Sequence, residues 1–216
     1  MELEKRNTLI LSVAQGLSIT TTSINMINTG LVGAMLATKP SYSTIPLSLQ
    51  FLTIALTLIP VSLLMGKFGR RSMFLLGSLA AFIGCLIIAF SIIDKSFYLF
   101  ILGSILLGFS QANQQFYRYA AADNVSNNLK SKAISLVLAG GVIAAVVGPE
   151  VSRYSFDLFP DYIYLATYLL AASIQIINFT ILIFIKIKKP EVTAKKIRLL
   201  KDILMQKTLI IAILAA

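Results

Sequence analysis

Charge-free stretches divide this chain. Residues 7–38, 40–66, 72–93, 96–117, 133–149 and 162–185 contain no Asp, Glu, Lys or Arg. Each approaches or exceeds the roughly 17–25 residues that a helix needs to cross a hydrocarbon core. Membrane strands would alternate in character at every second residue over about ten residues, and these runs do not. The pattern predicts an all-α integral membrane protein with six transmembrane helices, at about 8–36, 44–65, 73–93, 97–118, 133–151 and 162–185. Residues 208–216 begin a seventh apolar segment and are too few to span. The expected organisation is a six-helix bundle over 1–185, a basic cytoplasmic loop over 186–207 and the truncated start of helix 7 over 208–216. That points to a fragment, a split protein or a degenerate gene product whose C-terminal six-helix half is missing.

Composition agrees. Of 216 residues, 57% are hydrophobic and 13% charged, with a mean hydropathy of +0.84. A soluble domain carries about a quarter charged residues. The net charge of +10 would suit nucleic acid, but its placement argues otherwise. With the N-terminus cytoplasmic, only Lys39, Lys95 and Arg153 fall outside, which leaves sixteen of the nineteen basic residues inside. This is the bias that orients membrane proteins, and anionic lipids of the inner leaflet are the partner it implies. A cell membrane location follows, in a bacterium the inner membrane. The first apolar run is too long for a cleavable signal peptide and lacks a small-residue cleavage site. The stretch "AKKIRLLKDIL" at 194–204 reads as a basic amphipathic helix on the inner leaflet. Cys85 is the single cysteine and there is no His, so no metal, cofactor or redox and zinc chemistry is expected, and the chain is not read as an enzyme.

The six spans are not equally apolar. Span 1 places Gln15, Ser18, Thr22, Asn25 and Thr29 on one helical face, and span 4 does the same with Gly108, Gln111, Gln115 and Arg118. Such residues either join helices by hydrogen bonds or line a solute cavity. Spans 1 and 4 open two successive groups of three helices, the expected pair of inverted three-helix repeats. Special helices at corresponding positions of inverted repeats mark a substrate site, so the stripes predict a cavity. Arg118 lies some 30 Å down its helix by a rise of about 1.5 Å per residue, either anchoring in headgroups or touching solute. Span 5 holds Gly140, Gly141, Ala144, Ala145, Gly148 and Pro149, a composition for close packing and hinging. Glu150 falls near the outer interface as a solvated or proton-binding carboxylate.

Between spans 2 and 3 stands "SLLMGKFGRRS" at 62–72, a short basic turn rich in glycine. It resembles the loop 2–3 signature of the major facilitator superfamily, usually written G-x-L-A-D-R-x-G-R-R/K. Lys67, Gly69, Arg70 and Arg71 match, while Ser62 and Gly66 replace the usual Gly and Asp. Gly148 and Pro149 resemble the span 5 signature of antiporter-type members, without the glycines that follow it. The Arg common early in span 4 is absent, with Ser104 there. The resemblance implies a secondary active or facilitative transporter of a small polar organic solute that works by alternating access. It also implies an inner gate, in which Arg70 pairs with Asp123. The rival reading is a non-transporting fragment or scaffold that needs or only binds a partner half.

Overall fold

The computed structural model describes residues 2–187, and the expected amphipathic helix at 194–204 and apolar start at 208–216 lie outside the described residues. Seven α-helices follow in order: α1 (Glu2–Leu36), α2 (Ile45–Phe68), α3 (Arg70–Ile93), α4 (Phe97–Gln114), α5 (Tyr117–Asp123), α6 (Lys130–Ser155) and α7 (Leu165–Ile183). No strand occurs among the described residues. Five helical segments, at 3–36, 40–68, 70–93, 127–155 and 165–183, are long and apolar enough to cross a membrane. The remaining long helix, α4, is apolar for most of its 18 residues and then turns polar at Ser110–Gln114. The helix expected over 97–118 therefore breaks at Gln115 and Phe116 and resumes as α5. Ser110 and Asn113 weaken this end of the helix, because Ser and Asn side chains compete for backbone groups, and Asn113 Nδ2 donates to Phe109 O at 3.0 Å.

Local chemistry explains the junctions. One residue, Gly69, joins α2 to α3, and it sits at φ 87° and ψ 151°. That region belongs almost wholly to glycine. Ser96 caps α4, accepting from Leu99 N at 3.5 Å. Helix α1 begins earlier and α6 extends further than their charge-free runs, because lysine and arginine are good helix formers at interfacial turns.

Helix α1 packs on α6 and α7, α3 packs on α4 and α7, and α4 packs on α2. The α1–α6 contact is unusually close. Ser12 Oγ donates to Leu136 O at 2.7 Å, and Asn28 Nδ2 donates to Ser152 Oγ at 2.7 Å. Both pairs share a separation of 124 residues, so the two helices run parallel and in register. Glycines permit it: a Cβ on Gly16 would stand 3.1 Å from Gly140 O, and one on Gly148 would stand 2.6 Å from Ser23 Cβ.

The core is apolar at both ends and polar between. Leu11, Val61, Met65, Phe74, Tyr117 and Leu182 pack near the α2–α3 turn. Ile24, Cys85, Ile88, Phe100, Leu107 and Tyr168 form a second cluster toward the other end.

Candidate functional site

Buried between these clusters lies a layer of hydroxyls and carboxamides. Asn25, 1% exposed, donates from Nδ2 to Gln50 Oε1 at 2.7 Å and accepts from Tyr168 Oη at 3.1 Å. Gln50 in turn donates from Nε2 to Gln111 Oε1 at 3.1 Å. A second branch starts at α7: Gln175 donates to Thr21 Oγ1 at 2.8 Å and accepts from Asn178 Nδ2 at 3.1 Å. Asn178 also donates to Ser18 Oγ at 3.0 Å, and Ser78 Oγ donates to the Gln175 carbonyl at 3.1 Å. Burying this many polar groups away from water costs free energy unless each finds a partner, and most here do.

Gln50 reaches the layer because α2 and α4 nearly touch. A Cβ on Gly108 would lie 2.6 Å from Gln50 O, so only glycine one turn before Gln111 allows this approach. The branches flank a small cavity of about 10 Å³ lined by Ser18, Thr21, Thr22, Asn25, Gln50, Ala81, Leu107, Ser110, Gln111, Gln114 and Gln175. That volume suits about one water molecule. The lining contains no charged side chain and no aromatic ring.

Of the residues expected to line a cavity, Thr22, Asn25 and Gln111 do so, together with Ser18. Thr29 is buried one turn above and donates back to Asn25 O. Gln15 is buried too, with no partner for its Oε1. Gln115 is exposed at the helix break, outside the cavity. Arg118 is half-buried on α5, stacked 5.0 Å from the Tyr119 ring centre, and also outside it. Gln50, Gln175, Asn178 and Tyr168 escaped the sequence reading. The signal for three of them is present: Gln175 and Asn178 are amides one turn apart, and Gln50 opens a polar stripe with Thr53 and Thr57.

A second cluster surrounds Gly69. Arginines opening a helix are disfavoured by the positive end of its dipole. Both here find the negative ends of other helices instead. Arg70 pairs with Asp123 Oδ2 at 2.5 Å, the last residue of α5, and donates to Tyr119 O at 3.3 Å. Arg71 donates to Ile183 O, the last carbonyl of α7, at 2.7 Å. Alongside, Asn7 Nδ2 donates to Lys186 O at 2.8 Å and its Oδ1 accepts from Lys186 N at 3.3 Å. Gly148 and Pro149 lie on α6, where Gly148 meets Thr20 and Ser23 of α1 and the helix continues past the proline to Ser155. Glu150 pairs with Arg153 at 3.6 Å, both well exposed. Among the described residues no group of acidic, His or Cys side chains is placed to hold a metal.

Known proteins show similarity over most of this length. A riboflavin transporter of Brucella anthropi is 35% identical over 185 residues, which cover 86% of this chain and 46% of that protein. The chain thus spans about half the length of the curated relative it matches. No solved structure matches. The family model described as Major Facilitator Superfamily matches residues 10–216. With its buried polar layer and its braced α2–α3 turn, this chain belongs to the major facilitator superfamily.

Proposed function

We propose that the chain forms the N-terminal six-span half of a secondary transporter, and that the polar layer is its contribution to the solute site. The observation that carries this reading is the carboxamide-lined cavity shared by α1, α2, α4 and α7 at mid-depth between two apolar clusters. Polar side chains at that depth are costly in lipid, and in membrane proteins they mark functional sites. The solute is a small polar organic molecule, and the name of the Brucella anthropi relative makes riboflavin the first candidate.

Six spans fit the packing. Because α1 and α6 run parallel, the chain reverses through α2, α3 and a third crossing before α6, and α4 with α5 supplies it. The N-terminus and the α2–α3 turn face the cytoplasm with anionic lipid headgroups. The Arg70–Asp123 pair steadies the inner closed state, Arg71 braces the same end, and a C-terminal half completes the cavity. Transport then proceeds by rocking of the two halves about the polar layer.

Uptake of labelled riboflavin by cells expressing the complete protein tests this reading. The expected result is saturable uptake or export that fails when Asn25 and Gln111 are both replaced by Ala at unchanged expression. Uptake indifferent to that double replacement would remove the polar layer from the transport path.

A further inference from the structure

The carboxamide chain across the cavity has a direction. Tyr168 Oη donates to Asn25, Asn25 Nδ2 to Gln50 and Gln50 Nε2 to Gln111. Each link passes its donor the same way, so each bond polarises the next. Tyr168, Asn25 and Gln50 are 0%, 1% and 2% exposed, so they are closed off from bulk water in this arrangement. The last amide differs. Gln111 is half-buried against the cavity, and its Nε2 donates to no described group. A cooperative chain that begins at a buried hydroxyl therefore ends in one N–H₂ left for whatever enters the cavity.

The surroundings narrow what that is. An N–H₂ donor complements a carbonyl oxygen. On this half's side the lining holds no cation to meet an anion and no carboxylate to meet a cation, and an unpaired charge buried against it is very costly. Resting on the transport function proposed above, we infer that Gln111 reads a carbonyl oxygen on an uncharged part of the solute, with Tyr168 and Gln50 as positioning residues that hold the Gln111 amide in this orientation. Neither Tyr168 nor Gln50 touches the solute's carbonyl. Both act by deciding which end of the Gln111 amide faces it. Riboflavin belongs to this class, being uncharged and carrying ring carbonyls.

The test uses the complete protein in lipid vesicles, with riboflavin as the neutral probe and riboflavin 5′-phosphate as the anionic one. Gln111→Leu should weaken riboflavin binding about 5- to 50-fold, the range expected when a buried hydrogen bond is lost. Gln111→Glu keeps the acceptor for Gln50 but loses the donor, so it should bind as poorly as the Leu variant. Tyr168→Phe removes only the hydroxyl and should weaken binding about 3- to 10-fold. In the Gln111→Leu background, Tyr168→Phe should weaken binding no further, because its effect passes through Gln111. A full Tyr168→Phe effect in that background would overturn the positioning role. Riboflavin 5′-phosphate keeps the ring carbonyls, so Gln111→Leu should weaken it by the same factor, and an undiminished phosphate ester would overturn the carbonyl reading.

A second measurement needs no solute. Thermal unfolding of Tyr168→Phe, Gln50→Leu and the double variant should show coupling, the double losing less than the two singles together. Strict additivity would overturn the relay even where riboflavin proves not to bind. Coupled unfolding with no riboflavin binding by the unmodified protein would instead overturn the riboflavin and carbonyl-reading assignment, while the relay itself stands.

Discussion

Gly69 carries more structure than any other single position in the α2–α3 turn. Its φ of 87° with ψ of 151° lets two long helices reverse across one residue, and that reversal sets Arg70 and Arg71 against α5 and α7. Gly69→Ala should cost about 1–3 kcal/mol, the usual strain for a non-glycine residue in that region. Thermal unfolding measures it, and an unchanged midpoint would mean that the turn relaxes freely. The arginines differ in what they reach. Arg70 is one-fifth exposed and Asp123 more than half, so solvent screens the pair and its coupling should stay under about 1 kcal/mol. Arg70→Ala and Asp123→Ala should each loosen this end of the bundle, and the double variant should lose less than the sum. Accessibility of a cysteine at Ser62, in the complete protein, reads that loosening. At this scale the sequence spoke unevenly. Asn25, Thr22 and Gln111 were legible because a stripe of polar residues at helical spacing identifies a face. Gln50 carries the same kind of signal, with Thr53 and Thr57 at spacings of 3 and 4, and its approach to Gly108 gives it a role. The Arg70–Asp123 pairing was legible only through the family resemblance, whereas the Arg71 contact with Ile183 O depends on where α7 ends.

Among the elements, α1 and α6 form the tightest pair, and their glycines sort into two kinds. Gly148 touches α1, where an added Cβ would stand 2.6 Å from Ser23 Cβ and 2.9 Å from Thr20 O. Gly30, on α1 itself, has nothing within 4 Å of its added Cβ. Gly148→Val should therefore destabilise by about 1–3 kcal/mol through overpacking. Gly30→Ala should be neutral or stabilise by up to about 1 kcal/mol, the helix-propensity difference. Comparable losses from both would show that helix flexibility, and not the α1–α6 contact, is what these glycines supply. Composition suggested close packing for the fifth span, yet the partner was hidden. Nothing in a stretch of glycine and alanine says which helix lies against it. The break at Gln115 was also unread, because the charge-free run continues through it to Tyr117. Charge marks where a chain leaves the membrane, while a helix can break inside an uncharged run.

On the scale of the whole molecule, the pairings have a symmetry. Counting α4 and α5 as one span, exchange of spans 1, 2 and 3 with 4, 5 and 6 turns α1–α6 into α4–α2 and α3–α4 into α7–α1, and returns α3–α7 to itself. We propose a pair of inverted three-helix repeats as the origin of this symmetry. The same arrangement sorts the charges. Hydrogen bonds from Asn7 to Lys186, Arg70 to Asp123 and Arg71 to Ile183 tie the start of α1, the α2–α3 turn, the end of α5 and the end of α7 to one end of the bundle. That end holds Lys5, Arg6, Lys67, Arg70, Arg71, Lys130, Lys132 and Lys186, while Lys39, Lys95 and Arg153 lie at the other with Asp94, Asp157 and Asp161. Cations gather on the cytoplasmic side of membrane proteins, so the braced end should face inward. Cysteine labelling decides it in a Cys85→Ala background, with Asn127→Cys and Asp157→Cys as reporters. Both positions are exposed, and they sit at opposite ends of α6. A membrane-impermeant maleimide should label Asp157→Cys in intact cells and Asn127→Cys only after permeabilisation. The reverse pattern would invert the bundle and place the Arg70–Asp123 pair at an outer gate. Labelling of both from outside would mean that α6 does not cross, and the parallel packing of α1 on α6 would then have to form outside the membrane.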